Sequence, residues 1–388
     1  MATYNFTVRA VDNTGAFADR NFQMNVNNTQ IDRFVMVCAS GLLRSVDGTT
    51  WNTEPGIVGT YVGFENNQWI VASSDRQFAT TVLYNSVDGL NWNRIIPTIP
   101  SPTVVGTVTS HSINRIKWRN GAYYGFLHLK TNTPTTYIYE VKSTDLKTWT
   151  YAVATNTSSI YSFGSSGFNT TSGVADWDYD PVTDTVVALI SAPAQGSVFL
   201  WRRVGNAGWT LASTGLKSFT IAIPVVSTQS PSSSYSMGTV TFIGGNWFVN
   251  IGQVGIYTSV NAFDWVYRDI SAAGGGAVST FGPIYSNGRL LLQYAAASST
   301  TTNSLAASVD AGHTWAIRPA TGGPLVAYTL AQPNFQVFAA YNGTIVTTNP
   351  NSTSFIVSKD DGLTWTGVNT TSFGYPMGSP QAIAARNT

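Results

Sequence analysis

Apolar residues in this chain come in short runs broken by Asn, Gly, Asp and Ser, without a sustained 3.6-residue rhythm, which predicts strands joined by turns rather than helices. One order recurs. An apolar run ending in an aromatic residue leads into Asn66-Asn67, Asn120-Gly121, Gly245-Asn246, Asn287-Gly288 or Asn342-Gly343, and a second apolar run follows at once. Asn-Gly between apolar runs specifies a tight hairpin, because both central residues of a type I′ turn need positive φ. The predicted unit is strand A, tight turn, strand B, variable loop, strand C, turn motif, strand D; in the second unit these strands fall at 60–64, 69–72, 82–86 and 91–94.

The turn motif between C and D is the clearest internal repeat. Ser45-Val-Asp47-Gly48-Thr-Thr-Trp51 returns around Asp88 and Trp92, around Asp145 and Trp149, and as Ser259-Val-Asn261-Ala-Phe-Asp-Trp265. With one residue inserted it returns around Asp310 and Trp315 and around Asp360 and Trp365, and a degenerate copy runs from Arg203 to Trp209. The tryptophans step by about 41 to 60 residues, the length of a four-stranded propeller blade. The first unit enters at strand B, 34–39, and 381–387 at the other end carries the missing strand A pattern. The expected fold is therefore all-β, a seven-bladed β-propeller of four-stranded antiparallel blades over 31–388, closed by the C-terminal strand so that no edge stays open.

The motif resembles the Asp-box (BNR) repeat of sialidases and related propellers, Ser-x-Asp-x-Gly-x-Thr-Trp. The resemblance implies that Asp and Ser bond backbone groups of the C–D turn, that Gly takes the left-handed position and that Trp packs between blades. On that reading Asp47, Trp51, Asp88, Trp92, Asp145, Trp149, Asp310, Trp315, Asp360 and Trp365 are structural.

Charged residues are only 10% of the 388, the formal net charge is +1 and no run of Lys or Arg occurs, which argues against nucleic acid and anionic membranes as partners. Cys38 is the single cysteine, so thiolate metal sites and internal disulfides are excluded. The start lacks a basic then apolar leader, and no apolar stretch reaches 18 residues, so synthesis in a cytoplasm without a signal peptide is expected.

In a four-stranded meander the A–B and C–D turns share one face, and the B–C loops and D–A connections share the other. The second face carries the long irregular segments, where recognition usually sits on a rigid scaffold. Arg76, Phe78, His111, Tyr161, Phe163, Phe168 and Tyr235 lie there among Ser, Thr and Asn, a composition suited to glycan or protein recognition, or else to capping the blade interfaces.

Catalysis is not expected. Only Glu54, Glu65 and Glu140 are available as glutamates: on outer strand D, in an A–B turn, and in strand C. Arg115, Arg119 and Arg289 sit at different depths, which does not fit the arginine triad that a sialidase resemblance would imply. No cofactor motif appears. The acidic run Asp176, Asp178, Asp180, Asp184 could offer alternating oxygens to Ca²⁺, but 180–184 replaces the A–B turn and Trp177 aligns with Trp118, so turn duty and no metal is the reading.

Residues 1–30 fall outside the repeat. Tyr4, Phe6, Val8 and Ala10, then Phe22, Met24 and Val26, alternate with polar residues around a Gly15 turn, giving a hairpin with one apolar face. It resembles the last two strands of a cadherin-like or immunoglobulin-like domain. A lone hairpin is marginal in water, so it is expected to dock on a partner chain or another copy by strand addition, or else to pack against its own propeller. Together these features are similar to tailed-phage virion proteins. The expectation is a non-enzymatic virion surface protein (tail fibre, spike or capsid decoration) held by other virion proteins through its arm and meeting a host glycan or protein. A sialidase-like glycan hydrolase and a propeller assembly factor are the alternatives.

Overall fold

The computed structural model describes residues 2–26, 32–38, 40–75, 80–101, 104–133, 136–153, 161–163, 173–192, 197–212, 239–250, 256–268, 277–278, 283–295, 304–318, 338–348, 355–368 and 380–386. Every described element is a strand or a turn. Seven sheets, each built on four antiparallel strands, follow one another along the chain, and an eighth sheet is the N-terminal hairpin.

Blade 2 sets the pattern: Tyr61–Glu65, Gln68–Asp75, Thr80–Ser86 and Asn93–Ile95 are strands A to D, each paired to the next. Blade 3 is Val108–Arg119, Ala122–Thr131, Thr136–Ser143 and Thr150–Tyr151, with Tyr161–Phe163 added beside strand C. Blade 4 is Gly173–Asp180, Thr185–Ala192, Ser197–Val204 and Thr210–Leu211; blade 5 is Thr239–Ile243, Asn246–Asn250, Ile256–Ser259 and Val266–Arg268. In blade 6 strand A is split into Ala277–Val278 and Ile284–Ser286, followed by Arg289–Ala295, Ser304–Ser308 and Ala316–Arg318. Blade 7 is Phe338–Tyr341, Thr344–Thr348, Phe355–Ser358 and Thr366–Val368.

Blade 1 takes its strand A from the far end of the chain. Pro380–Ala385 pairs antiparallel with Phe34–Cys38, with Phe34 opposite Ala385 and Met36 opposite Ile383, and Gly41–Ser45 and Asn52–Pro55 complete the sheet. The Arg386 N–H donates to the Arg33 carbonyl at 2.8 Å, one step past the strand. All five residues of Phe34–Cys38 are buried, which an edge strand could not achieve.

Seven apolar clusters hold the ring, and each joins two consecutive blades. Blades 7 and 1, for example, share Phe34, Met36, Leu43, Trp51, Val346, Phe355 and Val357. The Trp51 ring meets Phe355 of blade 7 edge-on, with centroids 5.4 Å apart, so the motif tryptophan packs between blades. Strands A of consecutive blades touch near the axis, and the D strands are largely exposed.

The turns are those the sequence demands. In the first motif Asp47 Oδ1 accepts the N–H groups of Thr49 and Thr50, Ser45 Oγ accepts that of Gly48, Gly48 has φ of 77°, and Trp51 Nε1 donates back to the Gly48 carbonyl at 2.7 Å. The same bonds recur around Asp88, and around Asp145 without the glycine N–H to serine Oγ bond, Leu146 standing where the glycine would be. Around Asp310 and Asp360 the serine Oγ again accepts the glycine N–H and the carboxylate accepts that of Thr314 or Thr364, while the N–H of His313 or Leu363 goes to the Asp backbone carbonyl. Burial raises the Asp47 carboxyl, but its bonds from Thr49 and Thr50 prevail and hold it at about 2. The A–B turns have positive φ at Asn66-Asn67, Asn120-Gly121, Asn287-Gly288 and Asn342-Gly343. In blade 5 the turn is Gly244-Gly245, one residue earlier than expected from Gly245-Asn246, because two glycines reach positive φ at less cost than Asn.

The hairpin joins Ala2–Val11 to Phe17–Val26 in continuous register, and neither strand pairs with the propeller among the described residues. Asp12 closes the turn by accepting the N–H groups of Thr14 and Ala16. The register places Tyr4 opposite Met24, Phe6 opposite Phe22, and Val8 opposite Arg20 on one face.

Truncation after residue 379 should uncover Phe34–Cys38 as a bare apolar edge. Calorimetry and light scattering should then show lost cooperative unfolding and soluble oligomers; a truncated monomer melting like the intact chain would mean that closure contributes little. Trp51→Ala should lower unfolding free energy by about 3–5 kcal/mol in urea titration, as large buried aromatics do.

Candidate functional site

Of the expected recognition residues, His111, Tyr161 and Phe163 lie within the described residues. Arg76, Phe78, Phe168 and Tyr235 lie outside the described residues. Tyr161 and Phe163 belong to the extra strand of blade 3 rather than to a loop. His111 also departs from the irregular segment expected for it, because strand A of blade 3 already begins at Val108. It is half-buried, its carbonyl and Nδ1 face Thr81 of blade 2, and the Thr81 N–H donates to Nδ1 at 3.4 Å. That is the interface-capping role, and burial pushes its pKa down.

A cluster the sequence did not point to forms where the A strands of blades 2 to 5 meet. On strand A every second N–H points away from strand B and has no ladder partner, so the inner edge of each blade carries orphan donors. Carboxylates from the preceding blade take them. Glu65 Oε2 accepts the Trp118 N–H at 2.8 Å, Asp176 Oδ2 that of Val240 at 3.1 Å, and Asp178 Oδ2 that of Phe242 at 2.7 Å. Lys117 Nζ pairs with Asp178 Oδ1 at 2.9 Å and lies over the Trp177 ring.

Burial moves the titration of these groups. It pushes the Glu65 carboxyl up to about 7, against the opposing pull of the Trp118 N–H and Lys117. It raises Asp176 as well, against Arg115 and Lys117. Burial would lower Lys117, but Asp178 and Asp176 outweigh it and keep the ammonium charged. Two carboxyls biased toward the neutral form beside two cations form a candidate binding or acid–base site.

The other two glutamates are engaged elsewhere. Glu54 pairs with Arg44, which also reaches buried Asp32. Glu140 receives both Nε and Nη2 of Arg203 at 2.8 Å, with Arg119 3.7 Å away. Glu65 itself is the last residue of strand A rather than part of the turn, since Tyr61–Glu65 pairs through to Gln68.

The acidic run divides by depth. Asp180 accepts the Val182 N–H and the Thr183 hydroxyl, and Asp184 has φ of 50°, so these two make the turn. Asp176 and Asp178 belong to the axial cluster. Tyr179, not Trp177, takes the place of Trp118 next to the turn, because the four-residue turn shifts the register: Tyr179 faces Val186 as Trp118 faces Tyr123. Among the described residues no three of His, Cys, Asp and Glu come together as a metal-ion site.

His128 completes the picture at the blade 3–4 interface. Its Nε2 accepts the Val174 N–H at 3.3 Å, which requires a neutral ring, and burial pushes its pKa down to about 4.

No family model matches this chain, and no curated protein matches it. Solved structures do match at low identity. A structure described as a 6-phosphogluconolactonase from Bacteroides uniformis is 10% identical, with TM-score 0.47 over 91% of this chain and 98% of that one. A Hadza microbial sialidase is 15% identical, with TM-score 0.35 over 74% of this chain and 65% of that one. A thermostable family-43 glycoside hydrolase is 11% identical, with TM-score 0.37 over 69% of this chain and 95% of that one.

Glu65 and His128 should leave opposite marks on stability. Glu65 has a raised folded pKa, so stability is full below 4.5 and falls as pH rises from there to about 7, by up to about 3 kcal/mol. His128 has a depressed one, so stability falls as pH drops from 6.5 to about 4, by a similar amount. Urea titrations across pH should show the first loss removed in Glu65→Gln and the second in His128→Gln, each variant keeping the acceptor.

Proposed function

We propose that this chain is a non-enzymatic structural and binding protein of a virion surface, a tail fibre, spike or capsid decoration. In this reading the N-terminal hairpin anchors it in a neighbouring virion protein, and a propeller face meets a host glycan or a protein. The turn motif makes the propeller similar to the Asp-box family.

The hairpin is the observation that carries the reading. Two ten-residue strands pair only with each other among the described residues, and the described side chains are exposed, Val8 at 48% and Val11 at 61%. A two-stranded sheet in water is marginal by itself, so a hairpin whose strands pair with no propeller strand among the described residues calls for a partner sheet. The binding role also accounts for the carboxylates: each of the three axial acids already accepts a backbone N–H of the next blade, which is a structural task.

The raised pKa values of Glu65 and Asp176 favour a second reading, a glycan hydrolase of sialidase-like fold. The two separate cleanly. Hydrolysis of aryl glycosides or sialosides that disappears in Glu65→Gln would establish the enzyme and defeat the binding-only reading.

Deleting residues 1–28 should leave a propeller that melts within a few degrees of the intact chain and no longer enters the particle, scored by quantifying the protein in purified virions. Undiminished incorporation would refute the anchoring role.

A further inference from the structure

Strand A of blade 3 contains a residue in a backbone conformation that its side chain disfavours. Arg115 has φ of 55°, in the left-handed region, within a break of the ladder between Asn114 and Lys117. A non-glycine residue is strained there, and glycine would follow the same path without that strain. The surroundings enforce it. The Tyr61 hydroxyl of blade 2 donates to the Ile116 carbonyl, and Trp177 Nε1 of blade 4 donates to that of Arg115, so both carbonyls of the bulge are held by neighbouring blades.

A strained position held from two sides, where glycine would be easier, implies that the side chain is what the arrangement keeps. Its guanidinium has no ion-pair or hydrogen-bond partner among the described residues, and its field acts on Asp176 and Tyr61. Asp176 engages Oδ2 with Val240 and Glu65 engages Oε2 with Trp118, leaving Asp176 Oδ1 and Glu65 Oε1 without a partner among the described residues. All three residues are partly exposed. Lys117 and Asp178 neutralise each other.

The open valences are thus donors on Arg115 and acceptors on two carboxyls. An anion would face Asp176 and Asp178, and a cation would face Arg115 and Lys117. A neutral group that both donates and accepts, such as hydroxyls on adjacent carbons, satisfies the set without unbalanced charge.

We propose that the axial cluster binds a neutral polyhydroxyl ligand, the terminal sugar of a glycan, through Arg115, Asp176 and Glu65. The proposal rests on the glycan-binding reading above, and it moves recognition from the long connections to the axis.

The test uses the full chain, saturation-transfer NMR and thermal shift, with glucose, galactose, mannose and the two N-acetylhexosamines as probes and sialyllactose as the acidic comparison. At least one neutral sugar should bind. Arg115→Gly should melt above the wild type without sugar, yet bind that sugar at least about tenfold more weakly, and Asp176→Asn, which still accepts from Val240, should weaken it similarly. Unchanged binding in both variants overturns the site; if Arg76→Ala abolishes it instead, glycan recognition stands and belongs to the loops. Binding of sialyllactose alone overturns the neutral class, and binding of no sugar overturns the site and glycan recognition together, while incorporation through the hairpin is scored separately.

Discussion

Everything in this molecule depends on each blade covering the apolar faces of its neighbours. A four-stranded sheet has two faces, and in a ring both are buried against the next sheet, which explains runs such as Phe34–Cys38 and Val186 to Ile190 that are buried at every position rather than alternating. Such an arrangement has no stable partial form: a missing blade exposes two faces at once. The join between blades 7 and 1 therefore matters out of proportion to its length. Tying it with Pro380–Ala385 converts separation of the chain ends into disruption of a paired, buried strand.

The inner edge of the ring creates a second constraint, because A strands are edge strands pointed at the axis. Their orphan N–H groups need acceptors, and the chain meets the need with Glu65, Asp176 and Asp178, each accepting across a blade boundary. In a protein with so few charges, these are concentrated where backbone polarity would otherwise go unmatched. The same burial that makes the carboxyls useful as acceptors pulls Glu65 and Asp176 toward the neutral form, so a structural device and a candidate binding site share atoms.

Architecture was legible in the sequence because it is encoded locally. Ser45-x-Asp47 and its copies state their turn within a few residues, Asn287-Gly288 states a hairpin in two, and the short apolar run of the last strand, ending at an Asn where the A–B turn would be, identifies the missing first one. The axial cluster was not legible. Glu65, Lys117 and Asp178 come from three blades, about one repeat apart, and what brings them together is the depth of each strand, which a bulge at Arg115 and a four-residue turn at 181–184 both shift. His111 was assigned to a loop for the same reason: the strand it occupies is longer than the repeat predicts.

Blade 4 shows how local and long-range chemistry substitute for each other. Its motif lacks the Ser-x-Asp pair, so no side chain gathers the turn N–H groups as Asp47 does in blade 1. In the serine position stands Arg203, and its guanidinium reaches 63 residues back to Glu140 in blade 3, with both partners almost fully buried. Desolvating two charges is costly, and such a pair adds little net stability compared with apolar packing; removing one partner, however, typically costs about 3–5 kcal/mol. Arg119, stacked 4.1 Å over Tyr124 and 3.7 Å from Glu140, adds a second cation to the same junction. What the repeat loses as a self-contained turn it regains as a specific contact between blades 3 and 4. At that boundary the buried pair joins the bonds from Val174 to His128 and from Trp177 to the Arg115 carbonyl in fixing the register.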